Sequence, residues 1–223
     1  MNKIFSIAID GPAGAGKSTV AKAVAKALGA VYLDTGAMYR TIALYMVENN
    51  IQGADSIARA VNDPHIEIRF IDNEQHMLLN GEDVTGRIRS QKASMLASQV
   101  SAIPAVRARL VALQQEFAQG HSVVMDGRDI GTVVLPNATL KIYLIASCEV
   151  RARRRFLQLA GTDKETPYEK ILPEIIQRDY NDSNRAASPM RQAEDAVRLD
   201  TSDLSQVEVI DQVLTMARKA INV

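Results

Sequence analysis

The sequence predicts an α/β protein: a parallel sheet flanked by helices, interrupted by a small antiparallel insert. Three observations carry that reading. Short apolar runs alternate with helical patterns at both ends of the 223-residue chain, the signature of a parallel sheet covered on its faces. A middle stretch, His65 to Val84, alternates apolar and polar residues in period two instead. Between the first apolar run and the first helix lies GPAGAGKST, which fits G-x-x-x-x-G-K-[ST] with Gly11, Gly16, Lys17 and Ser18 in the fixed positions.

Taken in order, Ile4 to Ile9 reads as a buried strand and Val20 to Leu28 as a helix stopped by Gly29. Val31-Tyr32-Leu33 is a second short strand. Gly36 to Asn49 is helical, with Met38, Ile42, Tyr45 and Met46 at three- and four-residue spacing, and Ser56 to Val61 adds a turn or two. His65 to Phe70 is a strand, Asp72-Asn73-Glu74 a turn, and His76 to Leu79 the returning strand. Asn80-Gly81 and Thr85-Gly86 are further turns. Ser90 to Ile103 has helical composition, and Pro104 suits the first turn of a helix running to Gln119 and ended by Gly120. Ser122 to Met125 is a buried strand that ends in Asp126, and Leu140 to Ile145 is another. Ser147 caps a helix from Glu149 to Ala160, and Gly161 to Thr166 is a loop. Thr166-Pro167 opens a long polar helix through Arg185, closed by Ser188-Pro189. Val197-Arg198-Leu199 and Val207 to Ile221 supply the last strand and helix.

Composition narrows the function. The formal net charge is zero, which disfavours bulk binding to a nucleic-acid polymer or an anionic membrane. Of the 26 basic residues 17 are arginine, the side chain suited to planar grip on phosphate and carboxylate. Cys148 is the single cysteine, and with His65, His76 and His121 it forms no zinc-type spacing. The N-terminal apolar run is broken by Asp10 and no run reaches membrane-spanning length, so a cytoplasmic protein is the expectation; neutral charge without an obvious apolar patch makes a monomer the default.

The glycine loop carries the clearest chemistry. Gly11, Pro12, Ala13, Gly14, Ala15, Gly16, Lys17, Ser18 and Thr19 sit where a backbone turns its N–H groups around phosphate oxygens at a helix N-terminus. Lys17 can reach the β- and γ-phosphates of a nucleoside triphosphate, and Ser18 can ligate Mg2+. Asp126, at the end of an apolar strand, suits a carboxylate near that ion, directly or through water. Arg40 follows Asp34-Thr35-Gly36 at a strand end, where a second phosphate would lie; a surface salt bridge is the competing reading. Arg128 and Asp129 project from the turn after Asp126. Arg151, Arg154 and Arg155 share a helical face with Arg153 alongside, which suits either an anion between them or a solvated basic face. Arg178, Asp182 and Arg185 share another face, on a helix so polar that it has little to bury. It reads as a mobile lid closing over phosphates, against an ordinary exposed helix.

The segments GPAGAGKST, LDTGAMYR, GEDVTGRIR, SQVSAIPAVR, MDGRDIGTVV and NRAASP, in this order, resemble the bacterial cytidylate kinase family over essentially the whole chain. DGRDIGT and the inserted GEDVTGRIR are the most specific; related monophosphate kinases carry DGFPR-type sequence there. Ser18 stands where some members have Gly, and Thr35 where some have Ser; both keep the local chemistry. The resemblance implies the P-loop kinase fold in three parts. Residues 1–35, 105–150 and 187–223 would form the core, residues 36–104 the monophosphate-binding part with its insert, and residues 151–186 a helical lid. It implies γ-phosphoryl transfer from ATP, bound with Mg2+, to CMP or dCMP. By position Ser98, Arg107 and Asp129 read the base, Arg40, Arg128 and Arg185 grip the acceptor phosphate, and Arg178 and Asp182 hold the sugar. Thr35 also falls on the acceptor side and Arg154 on the ATP side, while Lys17, Arg128 and Arg185 are the expected catalytic groups. A kinase for another monophosphate would share all but the base-reading set. A guanine-nucleotide switch is disfavoured by the lack of an N-K-x-D motif.

Overall fold

A computed structural model describes residues 4–89, 91–162 and 165–222; the expected helix start at Ser90 and positions 163–164 of the Gly161 to Thr166 loop lie outside them. The chain runs β1 (Ser6–Asp10), α1 (Lys17–Leu28), β2 (Val31–Asp34), α2 (Thr35–Glu48) and α3 (Ala54–Ala60). Next come β3 (Ile66–Ile71), β4 (Glu74–Leu79), β5 (Glu82–Asp83), α4 (Gln91–Val100) and α5 (Pro104–Gly120). It closes with β6 (Val123–Gly127), β7 (Leu140–Ile145), α6 (Cys148–Leu159), α7 (Tyr168–Asn184), β8 (Val197–Asp200) and α8 (Gln206–Ile221).

Five parallel strands form the main sheet in the order β2-β6-β1-β7-β8, and β3-β4-β5 form a separate antiparallel sheet. The α/β class with an antiparallel insert is therefore as the sequence predicts. Local chemistry fixes most boundaries. Gly29, at φ 63°, closes α1 by donating its N–H to Ala25 and Lys26 carbonyls. Asp34 and Ser147 cap α2 and α6 by accepting from Ala37 and Val150 N–H, and Ser205 with Glu208 forms a capping box on α8. Asp72 and Asn73 both have positive φ, so they make the hairpin turn alone. Glu74, expected in the turn, instead pairs with Ile71 as the first residue of β4.

Two hydrophobic clusters sandwich the main sheet. One joins Leu33, Met38, Ile42, Leu110 and Met125 to Met77, Leu79 and Val84 of the insert, so the insert is packed onto the protein rather than appended to it. The other lies under α1 and α8, around Ile7, Ile9, Val24, Ile142 and Val213. A third corrects the expectation that the polar helix has little to bury. On α7, Ile171 and Ile175 pack with Ala152 and Leu159 of α6, and Phe156 meets Tyr168 edge-on at 6.4 Å. Burying two isoleucines stabilises this pair by roughly 3–6 kcal/mol before entropy is subtracted.

Parallel register then delivers the chemistry to one edge. Asp10 aligns with Gly127, and Asp34 with Asp126, so the turns after β1, β2 and β6 emerge side by side at the carboxyl ends of the strands. Gly11 makes that possible. At φ 141° its missing side chain lets the chain pass β7, where a Cβ would lie 2.0 Å from the Leu144 carbonyl oxygen. Gly11→Ala should therefore cost about 3 kcal/mol or more in urea unfolding. Gly29→Ala, with nothing within 4 Å and only the left-handed backbone to strain, should cost about 1–2 kcal/mol. Equal losses would show that the crowding at Leu144 is relieved elsewhere.

Candidate active site

The loop from Gly11 to Gly16 leads directly into α1, which places Lys17 and Ser18 in its first turn. Gly14 and Gly16 take left-handed conformations, φ 78° and 89°. The Lys17 amine is buried and donates to the Pro12 carbonyl at 2.7 Å, folding back over its own loop. Burial, and then the nearby Arg128 charge, pull its pKa well below the ordinary lysine range. A phosphate at the loop would relieve that crowding of positive charge.

Asp126 is the hub beneath. Its two carboxylate oxygens accept from Ser18 Oγ and Tyr32 Oη, both at 2.8 Å, while its carbonyl accepts from Thr35 Oγ1 at 2.7 Å. Burial raises the Asp126 pKa, and the neighbouring Asp34 charge raises it further. A buried acid with excess negative charge beside a serine hydroxyl is a donor set that a hard divalent cation suits. Among the described residues no group of three His, Cys, Asp or Glu side chains could hold a metal unaided. Ser18 and Asp126 would thus supply part of a coordination shell, the rest coming from phosphate and water.

Across the edge, Arg40, Arg107, Arg128 and Arg185 each meet an aspartate. Arg40 donates to Asp34 at 2.8 Å with its side chain 24% exposed, so the salt bridge exists but is not a solvated surface pair. Arg128 donates to Asp182 at 2.9 Å, linking the turn after β6 to α7. Asp129 is buried between Arg107 and Arg185, the latter at 3.3 Å. Arg107 also reaches the Ser101 carbonyl and lies over the Tyr39 ring, 5.6 Å from its centre. Ser98, Asp182 and Arg185 line one small cleft of about 180 Å³ between α4 and α7. Arg178 has an open side, yet the loss of surrounding solvent and then Arg128 lower its pKa to about 10.

The arginine face of α6 needs correcting. Arg151, Arg154 and Arg155 do not converge on a shared anion. Arg151 is buried under the phosphate loop, donating to the Ala13 and Ala146 carbonyls at 3.0 and 2.9 Å and pairing with Asp179 at 2.7 Å. Arg154 turns to Thr201, donating to its hydroxyl and carbonyl at 3.0 and 2.5 Å. Arg155 is on the surface beside Gln158.

The family model for cytidylate kinase matches residues 7–219. The chain belongs to the cytidylate kinase family. It is 50% identical over 221 residues to a cytidylate kinase of Caldicellulosiruptor bescii, covering 98% of each chain. A Mycobacterium avium cytidylate kinase is 48% identical over 216 residues, 96% of this chain and 95% of that protein. Among solved structures, an uncharacterized protein from Eubacterium ventriosum shares the fold at a TM-score of 0.51, with 13% identity over 99% of both chains.

Four side chains at this edge carry no clear signal in the sequence. Tyr32 and Arg151 lie in stretches read as a plain strand and a shared basic face; their burial is a tertiary fact. Tyr39 was visible beside Arg40 but carried no signal for stacking on Arg107. Asp10 immediately precedes the glycine loop, and its carboxylate accepts from Ile130 and Gly131 N–H at 2.8 and 2.7 Å. It thereby fixes the tight π-helical turn Ile130–Val134 that follows Asp129.

Burial raises the Asp10 pKa from 3.8 to about 6. A carboxyl with a raised folded-state pKa contributes its stability fully below the unfolded value and loses it as pH rises through the folded one. Asp10→Asn keeps the shape and cannot titrate. The unfolding free energy of wild type relative to this variant should fall between about pH 4 and pH 6.5 and then level, measured by urea melts across that range. A flat or rising difference would mean that this carboxyl is not held in the buried state described.

Proposed function

We propose that the chain transfers the γ-phosphoryl group of ATP to CMP or dCMP, giving ADP and CDP or dCDP. The observation that carries this reading is the buried Arg107–Asp129–Arg185 cluster, facing a phosphate loop across one sheet edge. Cytosine offers an N4 amino donor beside the N3 and O2 acceptors. Asp129, held by two arginines, keeps lone pairs free for that amino group, and Arg107 can donate to the acceptors. Uracil would turn a carbonyl toward the carboxylate, a mismatch of a kind sites reject strongly. Ser98, in the cleft with Arg185, suits the same base-reading set.

The acceptor phosphate is itself an anion, so no general base is required. Arg40, Arg128 and Arg185 bind and orient it, with Thr35 holding the strand end beside them. Asp182 and Arg178 on α7 suit the sugar. Lys17 neutralises charge that develops on the transferred group. Mg2+, held through Ser18 and Asp126, would supply charge neutralisation at the phosphates. Gly11 to Thr19 cradle the triphosphate, and Arg154 belongs to the ATP side. The α6–α7 pair has its own small core, which supports a lid over residues 151–186 that moves as one piece. Neutral net charge and a single cysteine support a cytoplasmic monomer; no described helix is long and apolar enough to cross a membrane.

The direct test is ADP formation with CMP, dCMP, UMP and AMP in turn; a rate with AMP or UMP matching that with CMP overturns the base assignment. Lys17→Ala should leave less than about a tenth of wild-type turnover, a barrier increase above ~1.4 kcal/mol, with the fold intact by circular dichroism. Asp129→Asn replaces one acceptor oxygen with a donor and should narrow the CMP-to-UMP efficiency ratio by one to two orders of magnitude, roughly 1–3 kcal/mol. Asp126→Asn should depress both substrates alike. An unchanged ratio in the first variant, or a changed one in the second, would exchange the roles of the two acids.

A further inference from the structure

A side-chain amide links the two sheets. Gln75, in β4 of the insert, reaches β2, where its Oε1 accepts from the Asp34 N–H at 2.7 Å and its Nε2 donates to the Asp34 carbonyl at 3.3 Å. β2 is an edge strand, so the last residue before α2 receives from a side chain the paired bonds that a neighbouring strand would give. The amide is itself fixed, with Nε2 3.2 Å from the sulfur of Met77, a fully buried member of the shared core.

What Gln75 holds is the residue that aims Arg40. The Asp34 carboxylate accepts from Ala37 N–H at 2.9 Å, capping α2, and from Arg40 Nη2 at 2.8 Å. Arg40 Nε is buried with no partner, a donor left over after the Asp34 contact. Insert, strand end, helix cap and arginine thus form one continuous chain of contacts.

We infer that Gln75 is a positioning residue for the acceptor phosphate: through the Asp34 backbone it sets the carboxylate that aims Arg40, making the antiparallel insert part of acceptor recognition. The inference rests on the assignment of Arg40 to that phosphate made above. It also gives the insert a task at the site although the insert's strands carry none of the arginines proposed to grip phosphate. The amide acts only on geometry, so its loss should weaken one substrate and spare the other.

Gln75→Met keeps length and shape but makes neither backbone bond, and Gln75→Glu keeps an acceptor for the Asp34 N–H while losing the donor. Steady-state kinetics for CMP and ATP are compared with those of Arg40→Ala and of the Arg40→Ala/Gln75→Met double variant. The methionine variant should raise KM for CMP about three- to tenfold, the range expected for a lost net hydrogen bond, and leave KM for ATP unchanged. The glutamate variant should show a rise at least as large, because its charged oxygen would face the Asp34 carbonyl to which the amide donates. In the Arg40→Ala background Gln75→Met should add nothing further, because both act through one contact. Equal rises for CMP and ATP, or fully additive losses in the double variant, overturn the inference and leave Gln75 a stability residue. Should the methionine variant not fold, Gln75→Asn decides: its amide stops one methylene short of Asp34 and adds no charge, so a rise in KM for CMP without one for ATP supports the inference, and none overturns it. If Arg40→Ala itself leaves KM for CMP unchanged, the Arg40 assignment fails and the inference with it. If it raises that KM while Gln75→Met does not, the inference alone fails.

Discussion

Buried Asp126, through its carboxylate and its backbone carbonyl, ties together the three segments that build the phosphate end of the sheet. Ser18 comes from the start of α1, Tyr32 from β2 and Thr35 from the start of α2, and all three hydroxyls donate to this one residue. A carboxylate taken out of water must be compensated, and hydroxyl donors compensate less completely than a cation does. Its raised pKa records that deficit. The same contacts hold α1 and α2 in fixed relation to β6, so the phosphate loop and the Arg40 region are positioned by a residue whose charge burial disfavours and the nearby Lys17 only partly offsets. Structure and electrostatics at this edge are one problem, solved by one residue.

The turn after β6 and helix α7 are organised differently, by ion pairs that cross between elements. Arg128 with Asp182 joins the turn after β6 to α7, and Arg185 with Asp129 joins the end of α7 to the same turn. Arg151 with Asp179 adds a third link, from under the phosphate loop to α7. Helix α7 is therefore held from three directions by charge and from beneath by Ile171 and Ile175. Buried pairs of this sort contribute specificity of arrangement more readily than net stability. Their removal would loosen α7 relative to the sheet without melting its apolar seam with α6.

What was legible in the sequence is what short-range chemistry decides. The glycine loop is nine consecutive residues; Gly29, Ser147 and Pro104 mark helix ends by their own conformational limits; Asn80-Gly81 declares its turn. The acids and arginines at strand ends followed from parallel topology. What was not legible depends on partners far along the chain. Asp10 acts on Ile130 and Gly131 at a separation of 120 and 121 residues, and Gln75 on Asp34 at 41. Arg151 looks like its neighbours Arg153 and Arg154 until the fold buries it. The polarity of α7 is a different case: Ile171 and Ile175 stand four residues apart, a helical spacing that marks its buried stripe within the sequence itself.

The pairing of Arg40, Arg128, Arg185 and Arg107 with aspartates has a consequence for how a charged ligand reaches the site. The cancellation is only partial: Arg107 and Arg185 share the one carboxylate of Asp129, so these four guanidinium groups face three carboxylates. Lys17 and Arg178 feel the neighbouring Arg128 charge as well. A residual positive potential at the edge acts on an anion within about a Debye length and fades as salt is added. Its strength is set by the unmatched charge and not by the arginine count.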